Sequence, residues 1–291
     1  MNCSLCHNLS VNKLFIASNK HGRHLWNKDD LFEFFRCHAC GVVFIADLVP
    51  DDKYYSKYYP ANYYNDEHKN RFLNNLIALW SKVSFASKSG SILNSFRHPC
   101  TDKLRILDIG CGRGDFLARF DPQRFDRTGV EINATGIAST KEKGINVFKS
   151  LHDVISTGFY FDIVTLWHAL EHLANPSDTL AQISKIMDKD GILTIATPNT
   201  DSIGFKLGQK DWFHLDAPRH LRLYNPKSIE LLLKKSGFEV TRYCNPFYDY
   251  PLDLFWSVSK RPWKFIFYLF YPFLKLVSCE TLMVICKKKD R

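Results

Sequence analysis

Four of the nine cysteines in this 291-residue chain fall into two Cys-x-x-Cys pairs, Cys3 with Cys6 and Cys37 with Cys40. In a reducing compartment a doublet of doublets reads as four thiolates closing a tetrahedral zinc site, each pair supplying adjacent ligands. Gly41 after Cys40 permits the backbone turn that such a knuckle needs. The stretch from Lys13 to Phe35 is rich in aromatic and β-favouring residues, as a small zinc ribbon requires. Four thiolates leave no open coordination position, so the expected zinc is structural. Cys100, Cys111, Cys244, Cys279 and Cys286 have no paired spacing and read as core or loop residues.

A second constellation starts at Ile106-Leu-Asp-Ile-Gly-Cys-Gly-Arg-Gly, which sets Gly110, Gly112 and Gly114 at a predicted strand-to-helix turn. In a doubly wound fold, ligands bind at that turn. The spacing is G-x-G-x-G, whereas the dinucleotide fingerprint is G-x-G-x-x-G. Asp108 stands at the strand end, where its charge disfavours a pyrophosphate and suits a cationic amino acid moiety. Glu131 lies 23 residues further on, at the end of the next predicted strand, and a carboxylate there accepts both ribose hydroxyls. These residues point to S-adenosylmethionine over NAD.

Methyl transfer from a sulfonium is an in-line displacement, in which alignment of donor and acceptor supplies much of the acceleration. A hydroxyl or carbon-acid acceptor also has to lose a proton. His220, in Asp216-Ala-Pro-Arg-His220, is the first candidate base because imidazole titrates near working pH; a capping or structural histidine is the alternative. His168 is expected to line the pocket and His172 to be structural, with Glu171 between them. The order does not match the H-E-x-x-H of metalloproteases. Asp216 and Arg219 read either as orienting a polar substrate or as a salt bridge holding the loop, and Trp212, Phe213 and His214 as a lid that excludes water.

These residues need a scaffold, and the chain supplies one from Lys103 onward. Short apolar runs at Arg105 to Ile109, Thr128 to Glu131, Ile145 to Phe148, Phe161 to Leu166 and Gly191 to Ala196 alternate with helix-compatible segments near Phe116, Ala134 to Lys143 and Ser177 to Met187. That alternation predicts right-handed βαβ units and a parallel sheet. Asn225-Pro226 opens a helix that ends before Gly237, and Phe238 to Tyr243 and Thr281 to Cys286 read as two more strands. Upstream, Glu67 to Ala86 has helical spacing, Ser87 to Thr101 reads as a polar linker, and the tyrosines from Asp51 to Asn65 fit neither period. The predicted organisation is a zinc ribbon over 1–46, a helical lid and linker over 47–101, and a catalytic domain over 102–291.

The blocks LDIGCGRG, GVEIN, FDIVTLWHALEHLANP and GILTIATPN, in this order, resemble successive motifs of class I S-adenosylmethionine-dependent methyltransferases, from about Lys103 to Lys288. The nearest group carries an N-terminal four-cysteine zinc segment and a block that appears here as DAPRHLRLYNPKSIELLLKKSGFEV; it is associated with methylation of sugars and other small metabolites. The resemblance implies an α/β, Rossmann-like fold, a seven-stranded sheet whose last strand, Thr281 to Cys286, is antiparallel to the rest. It also implies that Asp108, Gly110, Gly112 and Gly114 face the methionine half of the cofactor and that Glu131 holds the ribose. Ser150 and Leu151 would lie beside the adenine, with Ser150 or Asp153 at its amino group, while Trp167 and His168 would close the fourth strand's end. In sugar C-methyltransferases a histidine after the fifth strand occupies a block comparable to that of His220.

The composition is 45% hydrophobic and 24% charged, that of a folded protein, with a net charge of +9. About half of that charge lies from Pro251 to Arg291, where eight basic residues face three acidic ones. The apolar insertion 251–278, including Trp263 to Val277, is shorter than a spanning helix and is interrupted by Pro272 and Lys275. It reads as a helical pair packed on the domain, a homodimer contact, or a segment dipping into the membrane interface. No basic, apolar leader opens the sequence, so the expected location is cytoplasmic, with peripheral attachment at the inner membrane face as a variant. The expected activity is methyl transfer to a small molecule, a saccharide or glycolipid intermediate. Its rivals are an RNA or protein methyltransferase, against which the ribbon is hardly basic, and a non-catalytic zinc adaptor, against which the glycine and acidic positions are intact.

Overall fold

The computed structural model describes residues 1–18, 30–46, 48–59, 71–96, 103–244, 253–258, 270, 273–274 and 279–289, with the backbone alone at 52, 71–80 and 255. A seven-stranded sheet forms its centre. Five parallel strands, β4 (Leu104–Ile109), β5 (Phe125–Val130), β6 (Asn146–Phe148), β7 (Phe161–Trp167) and β8 (Met187–Pro198), are joined by β10 (Phe238–Cys244) and β11 (Thr281–Lys288) in the order β10-β11-β8-β7-β4-β5-β6. β11 runs antiparallel to both neighbours, Thr281 pairing with Pro198 and Cys286 with Val240, as expected from the resemblance. The centre is near-continuous apolar sequence because both faces are covered: Ile163, Val164 and Leu166 in β7 and Val284, Ile285 and Cys286 in β11 are all fully buried.

The helices α3 (Ala134–Glu142), α5 (Pro176–Ile186) and α7 (Pro226–Lys235) begin at Asn133, Asn175 and Asn225. Asn225 caps α7 by accepting from the Ser228 amide at 2.8 Å, with Pro226 in the first turn.

Two segments differ from the sequence reading. The tyrosine-rich stretch contains α1 (Asp52–Tyr58), capped by Asp51 accepting from the Tyr54 amide, with Tyr54 and Tyr58 buried at helical spacing. Of the stretch read as a linker, Ser87 to Ser95 is the last third of α2 (Arg71–Ser95). Its serines stay helical because Ser91 and Ser95 donate to the carbonyls four residues back, and Ile92 is fully buried on the sheet. Cys100 and most of 251–278 lie outside the described residues; of the insertion, α8 (Asp253–Val258) docks, while Phe270 and Phe273 are exposed. Among the described residues no helix is long and apolar enough to cross a membrane.

The N-terminal strands β1 (Val11–Ala17), β2 (Phe32–Cys37) and β3 (Val43–Ile45) form an antiparallel sheet completed by β9 (Arg222–Leu223), where Val43 pairs with Leu223. Its cysteine end shares a continuous core with Leu232 and Leu233 of α7.

Candidate functional site

Cys3, Cys6, Cys37 and Cys40 bring their sulfurs within 4.8 Å of one another. Cys3 to Cys40 is 3.7 Å and Cys6 to Cys37 is 3.5 Å. A zinc tetrahedron with bonds of about 2.3 Å has edges of about 3.8 Å, so these two distances are close to such edges. The amides of Leu5 and Cys6 point at Cys3 Sγ at 3.4 Å, the arrangement that stabilises a thiolate.

The other site is a cavity of about 700 Å³ at the carboxyl ends of β4, β5 and β7. At its floor Asp108 is almost fully buried and accepts from the Thr165 hydroxyl at 2.7 Å. Burial pushes its carboxyl up to about 7, against the Thr165 bond and the charge of Lys88. Gly110 takes φ +74°, and a Cβ there would stand 2.9 Å from the Ala169 side chain. The Gly110 and Cys111 amides donate to Val130 O, the Gly112 amide to Glu131 Oε2 and the Gly114 amide to Cys111 O. These amides are therefore engaged within the protein, three of them at the end of β5, which leaves none of the four to cradle a pyrophosphate. Glu131 also accepts from the Asn133 amide at 2.8 Å, and it reaches the cavity with Ile132, whose apolar side chain is 59% exposed.

The opposite wall is built from histidines and carboxylates. β7 ends at Trp167, and His168 after it adopts φ +50° while its amide donates to Ala196 O. That left-handed conformation is uncommon for a non-glycine residue, and it occurs here at a residue that lines the cavity. A short 3₁₀ turn, Leu170–His172, then buries Glu171 completely. Glu171 accepts from the Thr197 hydroxyl at 2.9 Å and faces His168 Nδ1 at 3.3 Å and His220 Nε2 at 3.9 Å. Burial opposes its ionisation, but the hydrogen bond and charge of His168 outweigh it and hold the carboxyl below its ordinary range. His220 Nδ1 lies 2.7 Å from the His214 carbonyl. A carbonyl only accepts, so Nδ1 carries the proton and Nε2 presents its lone pair toward Glu171 and Asp216. Burial, followed by the neighbouring His172, pushes His220 down to about 4, so the ring is neutral at ordinary pH.

Asp216, at φ +35°, is engaged by Arg219 at 2.6 Å. His172 Nδ1 meets the Arg219 carbonyl at 3.0 Å and the Tyr59 hydroxyl at 2.9 Å. His214 Nε2 lies 3.3 Å from Asp253 of α8, and the Phe213 amide donates to Ser257 of the same helix, so the start of the insertion props up this wall.

Asp108, Gly110, Gly112, Glu131, Trp167, His168 and His220 thus line one cavity. Gly114, Ser150 and Leu151 are outside the lining. Gly114 packs against Thr140, Ser150 caps α4 (Leu151–Ile155) in a reciprocal box with Asp153, and Leu151 packs on the main core. Tyr55, Tyr59, Lys88, Ile132 and Asn133 line the cavity without having been singled out in the sequence, and His172 does so beyond its expected structural role. The tyrosines carry a local signal in their four-residue spacing on α1; Lys88 carries one only once α2 is known to extend past it.

The chain is similar to several known proteins. A ubiquinone biosynthesis O-methyltransferase of Rhodopseudomonas palustris (strain TIE-1) is 30% identical over 172 residues, 55% of this chain and 68% of that one. Its counterpart from Rickettsia canadensis (strain McKiel) is 25% identical over 174 residues, 56% of this chain and 70% of that one. Magnesium protoporphyrin IX methyltransferase from Synechocystis PCC 6803, solved with bound SAH, shares the fold with a TM-score of 0.50 at 13% identity, over 77% of this chain and 90% of that one. The profile of the family described as a methyltransferase domain matches residues 68–243, more than half of the chain, and the chain belongs to that family. It is an S-adenosylmethionine-dependent methyltransferase of the class I fold.

Proposed function

We propose that this enzyme methylates a hydroxyl of a small-molecule acceptor, with His220 as the base. The observation that carries this reading is a cavity-lining imidazole whose tautomer is fixed by the His214 carbonyl and whose Nε2 lies 3.9 Å from Glu171 and 3.8 Å from Asp216. Bound S-adenosylmethionine supplies an electrophilic methyl carbon. Asp108 pairs with the ammonium of its methionine part, beside the glycine loop with Gly110, Gly112 and Gly114, and Glu131 accepts from the ribose hydroxyls. Ile132 and Asn133 take the adenine-side contact that the family resemblance gives to Ser150 and Leu151, and Trp167 closes the floor.

As the acceptor oxygen forms its bond to the methyl carbon, the S–CH₃ electron pair stays on sulfur and the oxygen becomes strongly acidic. A base with a pKa of about 4 is sufficient at that stage, so His220 Nε2 takes the proton late. The imidazolium then stands 3.9 Å from Glu171 and 3.8 Å from Asp216, which stabilise it until the proton passes to solvent. His168, tethered by Glu171, orients the acceptor.

The four cysteines hold a structural zinc; their paired spacing and the gathering of their sulfurs within 4.8 Å of one another support it. For the acceptor we favour a saccharide, free or lipid-linked, at the cytoplasmic face of a membrane. The exposed Trp256 on α8, next to the wall that α8 supports, and the exposed Phe270 and Phe273 favour approach from a lipid side; the same apolar surface would otherwise serve a homodimer. A second reading, a precursor in ubiquinone biosynthesis, is favoured by the relatives' names and by the rings of Tyr55, Tyr59 and Phe213 around the cavity. Methyl-labelled S-adenosylmethionine, incubated with the enzyme and separated lipid, saccharide, RNA and protein fractions, tests the reading. Label in a saccharide or lipid fraction supports it, and label confined to RNA or protein overturns it.

A further inference from the structure

Glu171, His172 and His220 each bring one ligand atom to the acceptor wall, and these three atoms lie within 4.8 Å of one another. Each side chain is held from behind. The Thr197 hydroxyl donates to Glu171 Oε2 at 2.9 Å, His172 Nδ1 meets the Arg219 carbonyl at 3.0 Å, and His220 Nδ1 meets the His214 carbonyl at 2.7 Å. A carbonyl only accepts, so both rings carry their proton on Nδ1 and keep a lone pair on Nε2. Glu171 Oε1 is buried and has the loose approach of His168 Nδ1 at 3.3 Å in place of an aligned donor. None of the three brings a proton to the others.

Acceptors gathered in a buried wall favour a cation among them. Imidazoles whose Nδ1–H is fixed by backbone carbonyls, beside a carboxylate fixed through its other oxygen, form the outer shell of hydrogen bonds that orients metal ligands. Two nitrogens and one oxygen suit borderline divalent transition metals such as zinc and cobalt, whereas magnesium and calcium take oxygens. Zinc bonds of about 2.0 to 2.1 Å put neighbouring ligand atoms of a tetrahedron about 3.4 Å apart. His220 Nε2 and Glu171 Oε1 stand at 3.9 Å, so this pair has to close by about half an ångström. Asp216, 3.8 Å from the same Nε2, is engaged by Arg219 instead. His172 and His220 line the cavity, so the fourth position opens onto it, unlike that of a closed four-thiolate site.

We propose that Glu171, His172 and His220 bind a divalent transition metal at the acceptor wall, separate from the four cysteines, and that its occupancy switches methyl transfer off. Coordination takes up the Nε2 lone pair with which His220 accepts the acceptor's proton, so the metal-bound and base-competent states exclude one another. Metal binding depends on the three side chains alone, whereas the inhibition rests on the reading of His220 as the base.

The test titrates cobalt(II) into the intact chain already carrying one equivalent of zinc, and follows metal content and visible absorption. The wild-type chain should take up one further equivalent, with ligand-field bands and without the thiolate-to-metal charge transfer of a cysteine site. Glu171→Gln and His172→Gln should each weaken that uptake by more than about a hundredfold, beyond the range of a lost outer-shell contact, while keeping the zinc. Calorimetry with S-adenosylmethionine checks that both variants are folded at the cofactor site. Transfer of labelled methyl by the wild-type chain should fall by about a hundredfold at cobalt saturation and recover when a chelator removes the metal. No second equivalent in the wild-type chain, a second equivalent with thiolate bands, or undiminished uptake in both variants overturns the site. Uptake through these ligands with undiminished transfer overturns the inhibition, and with it the role of His220 as base, and leaves the metal site standing.

Discussion

Asp108 should give cofactor binding a pH dependence. Its carboxyl, raised by burial to about 7, is largely protonated below that pH and then cannot pair with an ammonium. Binding a cationic ligand has to draw that proton off, so affinity for S-adenosylmethionine should rise with pH through about 7, by close to tenfold per unit well below it, and level off above. Calorimetry across that range checks this, and Asp108→Asn should bind weakly with a flat profile. A flat profile in the wild-type chain would mean that Asp108 does not hold the ammonium. Glu131 calls for a different experiment because it also anchors the Gly112 and Asn133 amides. Glu131→Ala should weaken cofactor binding by about 1.5 to 3 kcal/mol, the cost of lost hydrogen bonds to a charged group. Tight NAD binding without S-adenosylmethionine binding would contradict the site.

At the scale of elements, the cysteine cluster and the acceptor wall are physically joined. Arg222 donates to the carbonyls of Leu173 and Ala174, both at 3.0 Å, and to the Ser4 hydroxyl between the first cysteines at 3.2 Å. β3 pairs with β9 two residues after the second knuckle. Cys37→Ser should therefore lower zinc content and melting temperature and raise KM for the acceptor, while leaving cofactor affinity largely intact, because the glycine loop and Glu131 stand on β4 and β5. Metal analysis, thermal melts and separate KM and binding measurements check this. A full zinc complement in the variant would contradict the four-thiolate ligand set.

The same scale explains what was legible in the sequence. The strands that carry Asp108, Glu131 and Trp167 announce themselves as short apolar runs between turn residues, and the glycine loop is contiguous. The pairing of β9 with β3 was not legible, since two residues carry no period and their partner lies about 180 positions away. The serines of α2 read as linker because their propensity favours turns, whereas back-bonding and the burial of Ile92 override it. Tyr59, Lys88 and His214 arrive at the cavity from three separate segments, and local pattern alone does not bring them together. Ser150 was placed by family analogy, and its local chemistry, a capping box with Asp153, occupies it elsewhere.

For the whole molecule, the net charge of +9 and the exposed Trp256, Phe270 and Phe273 bear on how the acceptor is reached. With a lipid-linked acceptor, the chain should cosediment with anionic vesicles at low salt and be partly released at high salt, each lysine near the surface contributing roughly 1 kcal/mol. Trp256→Ser with Phe273→Ser should lose the salt-resistant part. No cosedimentation under any condition would assign a water-borne acceptor.

The central claim is that a neutral His220, held between Glu171 and Asp216, removes the acceptor's proton. The direct measurement is single-turnover methyl transfer to the labelled acceptor fraction by wild-type and His220→Asn enzyme, alongside cofactor affinity for both. The account predicts a loss of about 10² to 10⁴ in rate, with affinity for S-adenosylmethionine unchanged. Near-normal transfer by His220→Asn would contradict it and pass the role to His168 or to no base at all.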